Sequence, residues 1–147
     1  MHVVQTELAG PAARPAHWIM EGTAEWGALT VLDRLSASGI SARIGAARAV
    51  ASRYLAQHRR FSVIEIRRPG DFRRWQSLPG DLIAYQVSYA LAEQLVIRHG
   101  VPAVLTYFRA YRHARDHATN FQQAFGYSPE EFIAAVRSVS SVPRLTS

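Results

Sequence analysis

Cysteine is absent from this chain, which excludes disulfides and any thiolate zinc site and leaves the cellular compartment open. Lysine is absent too: all 17 basic residues are Arg, and against 11 acidic residues they leave a formal charge of +6. With so much Ala alongside, this reads as a coding bias rather than a binding surface. The Arg residues stand singly or in pairs, as in Arg59-Arg60, Arg67-Arg68 and Arg73-Arg74. A nucleic-acid binder gathers them on one stripe with aromatics between, so nucleic acid is not the expected partner. No apolar run is long enough to span a bilayer, because Arg, Glu or Gln breaks each candidate. The start lacks the charged-then-apolar pattern of a signal peptide, although a truncated chain would have lost one. No internal repeat, low-complexity tract, phosphate loop, nucleophile elbow or coiled coil appears.

What is present is helical patterning over 147 residues, 48% of them hydrophobic, enough for one domain with a real core. Residues 1–138 are expected to form a single helical domain and 139–147 a flexible tail. Met1 to Leu8 reads as the end of a helix, and Gly10-Pro11 to Pro15 as a loop. The next helix runs from about His17 to Leu35. Ser41 is expected to cap the one after it, which buries Ile44, Ala47, Ala51, Tyr54 and Leu55. Phe61 to Ile66 suits either a short strand or a buried turn. Pro69-Gly70 and Pro79-Gly80 mark breaks with room for a short helix between. Asp81 suits the N-cap of a helix that is apolar nearly all round and therefore central. Gly100 ends it and Pro102 starts another, with Val101, Val104, Leu105, Phe108 and Tyr111 inward and Arg109, Arg112 and Arg115 outward. Phe121 and Phe125 lie on a short helix stopped by Gly126. Ser128-Pro129-Glu130-Glu131 is a capping box. The fold class expected is all-α, or the helical half of a mixed domain.

The chemistry lies near the start. A catalytic zinc takes three protein ligands and keeps a fourth position for water. In one large group two His four residues apart on a helix, HExxH, supply two ligands, the Glu between them is the general base, and the third ligand comes from a neighbouring helix. Trp18-Ile19-Met20-Glu21-Gly22-Thr23-Ala24-Glu25 resembles that third-ligand motif, W-x-x-E-G-x-A, of the gluzincin metallopeptidases, thermolysin-like and aminopeptidase-N-like. His2-Val3-Val4-Gln5 resembles the second His of HExxH and the three residues after it. Eighteen residues separate His2 from Glu21, the spacing typical of the aminopeptidase-like branch.

The resemblance implies that His2 and Glu21 are zinc ligands. Glu25, one turn after Glu21, is then a residue that hydrogen-bonds a ligand His from behind, or otherwise a solvent-facing acid. Tyr85, sixty-odd residues after Glu21, matches a Tyr that donates to the oxyanion in this group, in a pattern like Y-x-x-G-x-x-x-x-x-x-L with Ser88 at the small position. Tyr89 is its rival, and plain core is the other reading of both. The remaining chain is similar, in general helical patterning, to the C-terminal subdomain of bacterial peptidase MA-like members. A peptide or protein substrate is implied for the intact protein.

The sequence departs from the pattern where it matters most. There is no HExxH: the first His and the base Glu would lie before Met1. The chain is therefore read as truncated within that motif, with zinc weak or absent and no hydrolase activity of its own. Retention of both His2 and Glu21 favours a fragment over a catalytically dead remnant. His113 and His117 have helical spacing, but Arg115 lies between them and a solvated surface is expected. His17, His58 and His99 receive no role. The alternative to the peptidase is a non-catalytic helical domain that binds a protein through apolar surface left uncovered near the helix of Glu21; an Arg-rich nucleic-acid binder is weaker still.

Overall fold

The computed structural model describes residues 1–61 and 83–140. These form six helices and no strand: α1 (His2–Ala9), α2 (His17–Arg34), α3 (Ile40–Gln57), α4 (Ile83–Ala110), α5 (His117–Phe125) and α6 (Pro129–Ser140). Of the strand or turn expected at Phe61 to Ile66 only Phe61, which is buried, is described; the rest of it, the short helix after it, the Asp81 cap and the end of the tail lie outside the described residues. Helix α6 continues through Ser140, past the expected start of the tail.

The centre of the fold is the crossing of α2 with the first arm of α4. On α2, Trp18, Ile19, Gly22, Thr23 and Leu29 are buried, a helical stripe. Trp18 stacks on Phe132 of α6 at 6.2 Å and lies 6.3 Å from Phe121 of α5, so the C-terminal helices close over the start of α2. At the crossing a side chain on Gly22 would have no room. Its Cβ would lie 2.1 Å from the carbonyl oxygen of Ser88 and 3.0 Å from Cβ of Ala92. Gly22 and Ser88 are thus the small pair through which the two helices approach. A second, smaller cluster joins Leu29, Ile40, Ala47 and Tyr89 beneath α3.

Helix α4 is broken where the sequence placed the break. Gly100 adopts φ 77° and ψ 165°, a conformation other residues resist, and Pro102 opens the second arm. The buried face of that arm differs in part from expectation. Val104, Phe108 and Tyr111 are inside and Leu105 is half-buried, but Tyr107 is fully buried and Val101, in the first turn after the kink, is exposed. The cap of α3 also differs. Gly39, at φ 79°, is the N-cap, and the Ser41 hydroxyl donates to Asp33 Oδ1 at 3.0 Å instead. The capping box of α6 forms as expected: Ser128 N–H donates to Glu131 Oε2 at 2.7 Å and Glu131 N–H to Ser128 Oγ at 3.2 Å. Among the described residues no helix is long and apolar enough to cross a membrane.

Candidate functional site

Helix α1 is too short to be stable alone; α2 and α4 hold it. Gln5 is buried, and its Nε2 donates to the Met20 carbonyl at 2.9 Å and to Thr23 Oγ1 at 2.6 Å. The Thr23 hydroxyl donates onward to the Ile19 carbonyl at 2.6 Å. At the other end of α1, Arg112 Nε and Nη2 donate to the carbonyls of Leu8 and Glu7 at 2.8 and 2.7 Å, closing off carbonyls that a helix end leaves unsatisfied.

This network positions the ring of His2. A carbonyl only accepts, so the Gln5 nitrogen must face Met20 and its Oε1 must face His2. His2 Nδ1 lies 2.8 Å from Gln5 Oε1, so Nδ1 carries the hydrogen. In the neutral ring the lone pair then sits on Nε2. That atom faces Glu21 Oε2 at 3.7 Å. The ring and the carboxylate therefore face each other across a gap too long for a direct hydrogen bond. Hydrogen-bonded outer partners that fix a ring in this way are characteristic of metal-ligating His.

The other carboxylate oxygen of Glu21 faces His17. His17 Nε2 lies 3.5 Å from Glu21 Oε1, at i,i+4 spacing on α2. Glu21 is therefore flanked by two imidazoles, with its side chain only 19% exposed. The sequence alone assigned His17 no role, although its spacing from Glu21 was the available signal. Among the described residues no group of three or more His, Asp or Glu is arranged to hold a metal ion. His2 and Glu21 are a pair of donors, and His17 does not complete them as a third.

The remaining candidates stand apart from that pair. Glu25 forms an ion pair with Arg43 of α3. Tyr85 is partly buried and lines a cavity of about 480 Å³ together with Glu25, Arg43 and Tyr89; Glu21 is not part of its wall. Tyr89, the rival of Tyr85, is buried and donates its hydroxyl to Glu93 Oε1 at 2.6 Å. Arg48 grips the same carboxylate with two bonds, Nε at 2.7 Å and Nη2 at 2.9 Å. Burial alone would raise the Glu93 pKa, but the hydrogen bonds from Arg48 and Tyr89 outweigh it and hold Glu93 below the ordinary carboxylate range. Burial, reinforced by Glu93, pushes the Tyr89 phenol well above its usual value.

His117 is a correction. It is not solvated and shares no helix with His113: residues 111–116 form turns and irregular chain, and His117 opens α5 as a buried residue. Its Nδ1 lies 3.0 Å from the Tyr107 hydroxyl, which accepts from the N–H of Ala16 at 3.0 Å and lies 2.9 Å from the Tyr111 hydroxyl. The first residue of α5 thus helps to pin the start of α2. Comparison of the chain with protein-family models, with curated proteins and with solved structures finds no match.

Proposed function

We propose that this chain carries part of the site of a zinc-dependent peptidase of the gluzincin kind, with His2 and Glu21 as two of the metal ligands. The observation that supports the reading is the placement of His2, whose Nδ1 lies 2.8 Å from Gln5 Oε1 and whose Nε2 lies 3.7 Å from Glu21 Oε2. Ligands at zinc distances of about 2.0–2.2 Å sit about 3.3–3.5 Å apart around a tetrahedral ion, so a small closure of the pair would admit the metal. Zinc, when bound, supplies Lewis acidity toward a carbonyl and makes water nucleophilic at neutral pH. The chain's own residues hold and orient: Gln5 positions His2, and Gly22 seats the helix that bears Glu21. Tyr85 enters as an oxyanion donor, and Glu25 as a support for a ligand His, by resemblance alone.

The HExxH general base is missing from this sequence, so the chain is expected to cleave no peptide bond by itself. Zinc titration by calorimetry, with the wild type, Glu21→Ala and His2→Ala side by side, tests the ligand assignment. Weak binding that each substitution lowers at least tenfold is expected. Equal binding by all three proteins would sink it, and zinc-dependent peptidase activity from this chain would contradict the account of the missing base.

A second reading, a non-catalytic helical domain that binds a protein partner, is favoured by one observation. Val3, Val31 and Leu35 are 75%, 57% and 72% exposed, an uncovered apolar edge at α1 and the end of α2. Self-association or partner capture lost on Val31→Ser and Leu35→Ser, with zinc binding untouched by any variant, would favour it over the peptidase.

A further inference from the structure

A groove of about 730 Å³ opens between α1, the loop after it and the start of α5, with Arg14, Arg115, His17 and Met20 in its wall. We propose that it is a binding site for an organic carboxylate carrying an apolar body, the chemistry of an acylated apolar amino acid or of a peptide C-terminus. The inference goes beyond the zinc reading and does not need it.

Three observations carry it. The first is charge. Arg14 and Arg115 enter the groove, and among the described residues neither forms an ion pair. The acid in the wall, Asp116, accepts from Thr119 N–H at 2.7 Å as the N-cap of α5, so two guanidinium groups stand against one carboxylate. The second is organisation. Arg14 Nη1 donates to the carbonyls of Ala13 at 2.8 Å and Pro11 at 3.4 Å. The guanidinium is thereby tied to its loop, with Nε and Nη2 left to a ligand, the donor fork that matches a carboxylate. The third is the rest of the wall. Pro11, Ala13 and Met20 give it an apolar side, and its volume suits a ligand of several tens of heavy-atom contacts rather than a bare ion. The start of α5 carries its own carboxylate, Asp116, which disfavours a multiply charged anion such as phosphate at that backbone, and recognition falls to the two guanidinium groups.

The test is a nitrogen–proton correlation titration of the full chain in EDTA, with N-acetyl-leucine and N-acetyl-leucinamide as probes. The acid is expected to bind with a dissociation constant on the order of 1 mM and the amide at least tenfold more weakly, with shifts at Thr6, Met20 and Arg115. Arg14→Gln and Arg115→Gln should each weaken the acid about fivefold, and the double variant should bind acid and amide alike. Both side chains are exposed, so the variants should keep the wild-type spectrum elsewhere. An acetylated tripeptide ending in leucine separates the two sources. Tighter binding than the single residue identifies a peptide C-terminus, and weaker binding identifies a free acyl amino acid; either keeps the site. Equal affinity for acid and amide, inorganic phosphate binding as tightly as N-acetyl-leucine, or a double variant that still prefers the acid would overturn the proposal. Because metal is absent throughout, failure here leaves the zinc reading untouched, and failure of the zinc titration leaves this one untouched.

Discussion

Replacing Gly22 by Ala isolates the contact on which the fold is centred. Two effects oppose each other. Ala is the better helix former, by about 1 kcal/mol. Against that, its Cβ would sit 2.1 Å from the Ser88 carbonyl oxygen. The obstacle is backbone of a buried helix, so no side-chain rotation relieves it, and the helices must separate by roughly 1 Å to restore an ordinary contact. Overpacking of this kind costs about 1–3 kcal/mol, and obstruction by backbone puts the cost at the upper end. The net loss is therefore about 2 kcal/mol, or a fall in Tm of roughly 4–8 °C for a chain of this size.

Two other glycines provide the control. Gly45 is exposed on α3 with nothing within 4 Å of its would-be Cβ, and at Gly27 on α2 the clash is with Cε of Met1 at 2.8 Å, the far end of a flexible side chain. Gly45→Ala should raise Tm by roughly 2–4 °C, and Gly27→Ala should fall between the two. Thermal unfolding followed by far-ultraviolet dichroism, one curve per variant, measures all three. A Gly22→Ala protein as stable as Gly45→Ala would refute the reasoning, since it would mean that α2 does not lie against Ser88.

Other consequences can be checked separately. Glu93→Gln should cost about 1.5 kcal/mol by urea unfolding at pH 7, the low end for bonds to a charged group because Arg48 is more than half exposed. Since the folded pKa of Glu93 lies below its usual 4.5, its contribution is present above that pH and lost as pH falls through the lowered value, so wild type and variant should converge at acid pH. His99, 2.6 Å from the Tyr127 hydroxyl, is held below its usual 6.5 by burial and by Arg98. The fold favours the neutral ring, so stability should decline as pH drops below about 6.5, and His99→Gln should flatten that part of the profile. Arg112→Ala should loosen α1 locally, seen as faster amide exchange at Gln5 to Ala9 with little change at α4; uniform loss of protection would argue against a capping role.

The parts of this fold that were legible in the sequence are those whose chemistry is local. The capping box at Ser128 and Glu131, the stop at Gly126 and the break at Gly100 depend on residues within a turn of one another, and each forms where the sequence placed it. The errors and gaps are tertiary. Ser41 looked like a cap, but Asp33 takes its hydroxyl. His117 looked solvated, but Tyr107 lies under it. Glu93 disappeared into an apolar pattern because its partner Arg48 lies 45 residues away. Gln5 drew no attention because its amide has meaning only once Met20 and Thr23 are beside it.

The same distinction bears on the motif around Glu21. Two of its residues have packing reasons for their size. Trp18 fills the space between α5 and α6, and Gly22 permits the approach to Ser88. A tryptophan and a glycine four residues apart would be expected of any α2 that packed this way, so they lend the peptidase resemblance little weight of their own. Glu21 is different. It sits on the flank of the buried stripe and, among the described residues, caps nothing and bonds no backbone donor. A solvated helix charge has no need to be four-fifths covered, and covering a carboxylate costs free energy unless a positive charge compensates. The two described groups facing it are the imidazoles of His2 and His17. Of these, His2 lies against Gln5, whose buried amide also ties α1 to Met20 and Thr23 of α2. The packing accounts for the motif's Trp and Gly, and leaves the pairing of His2 with Glu21 as the part of the motif on which the proposed metal site rests.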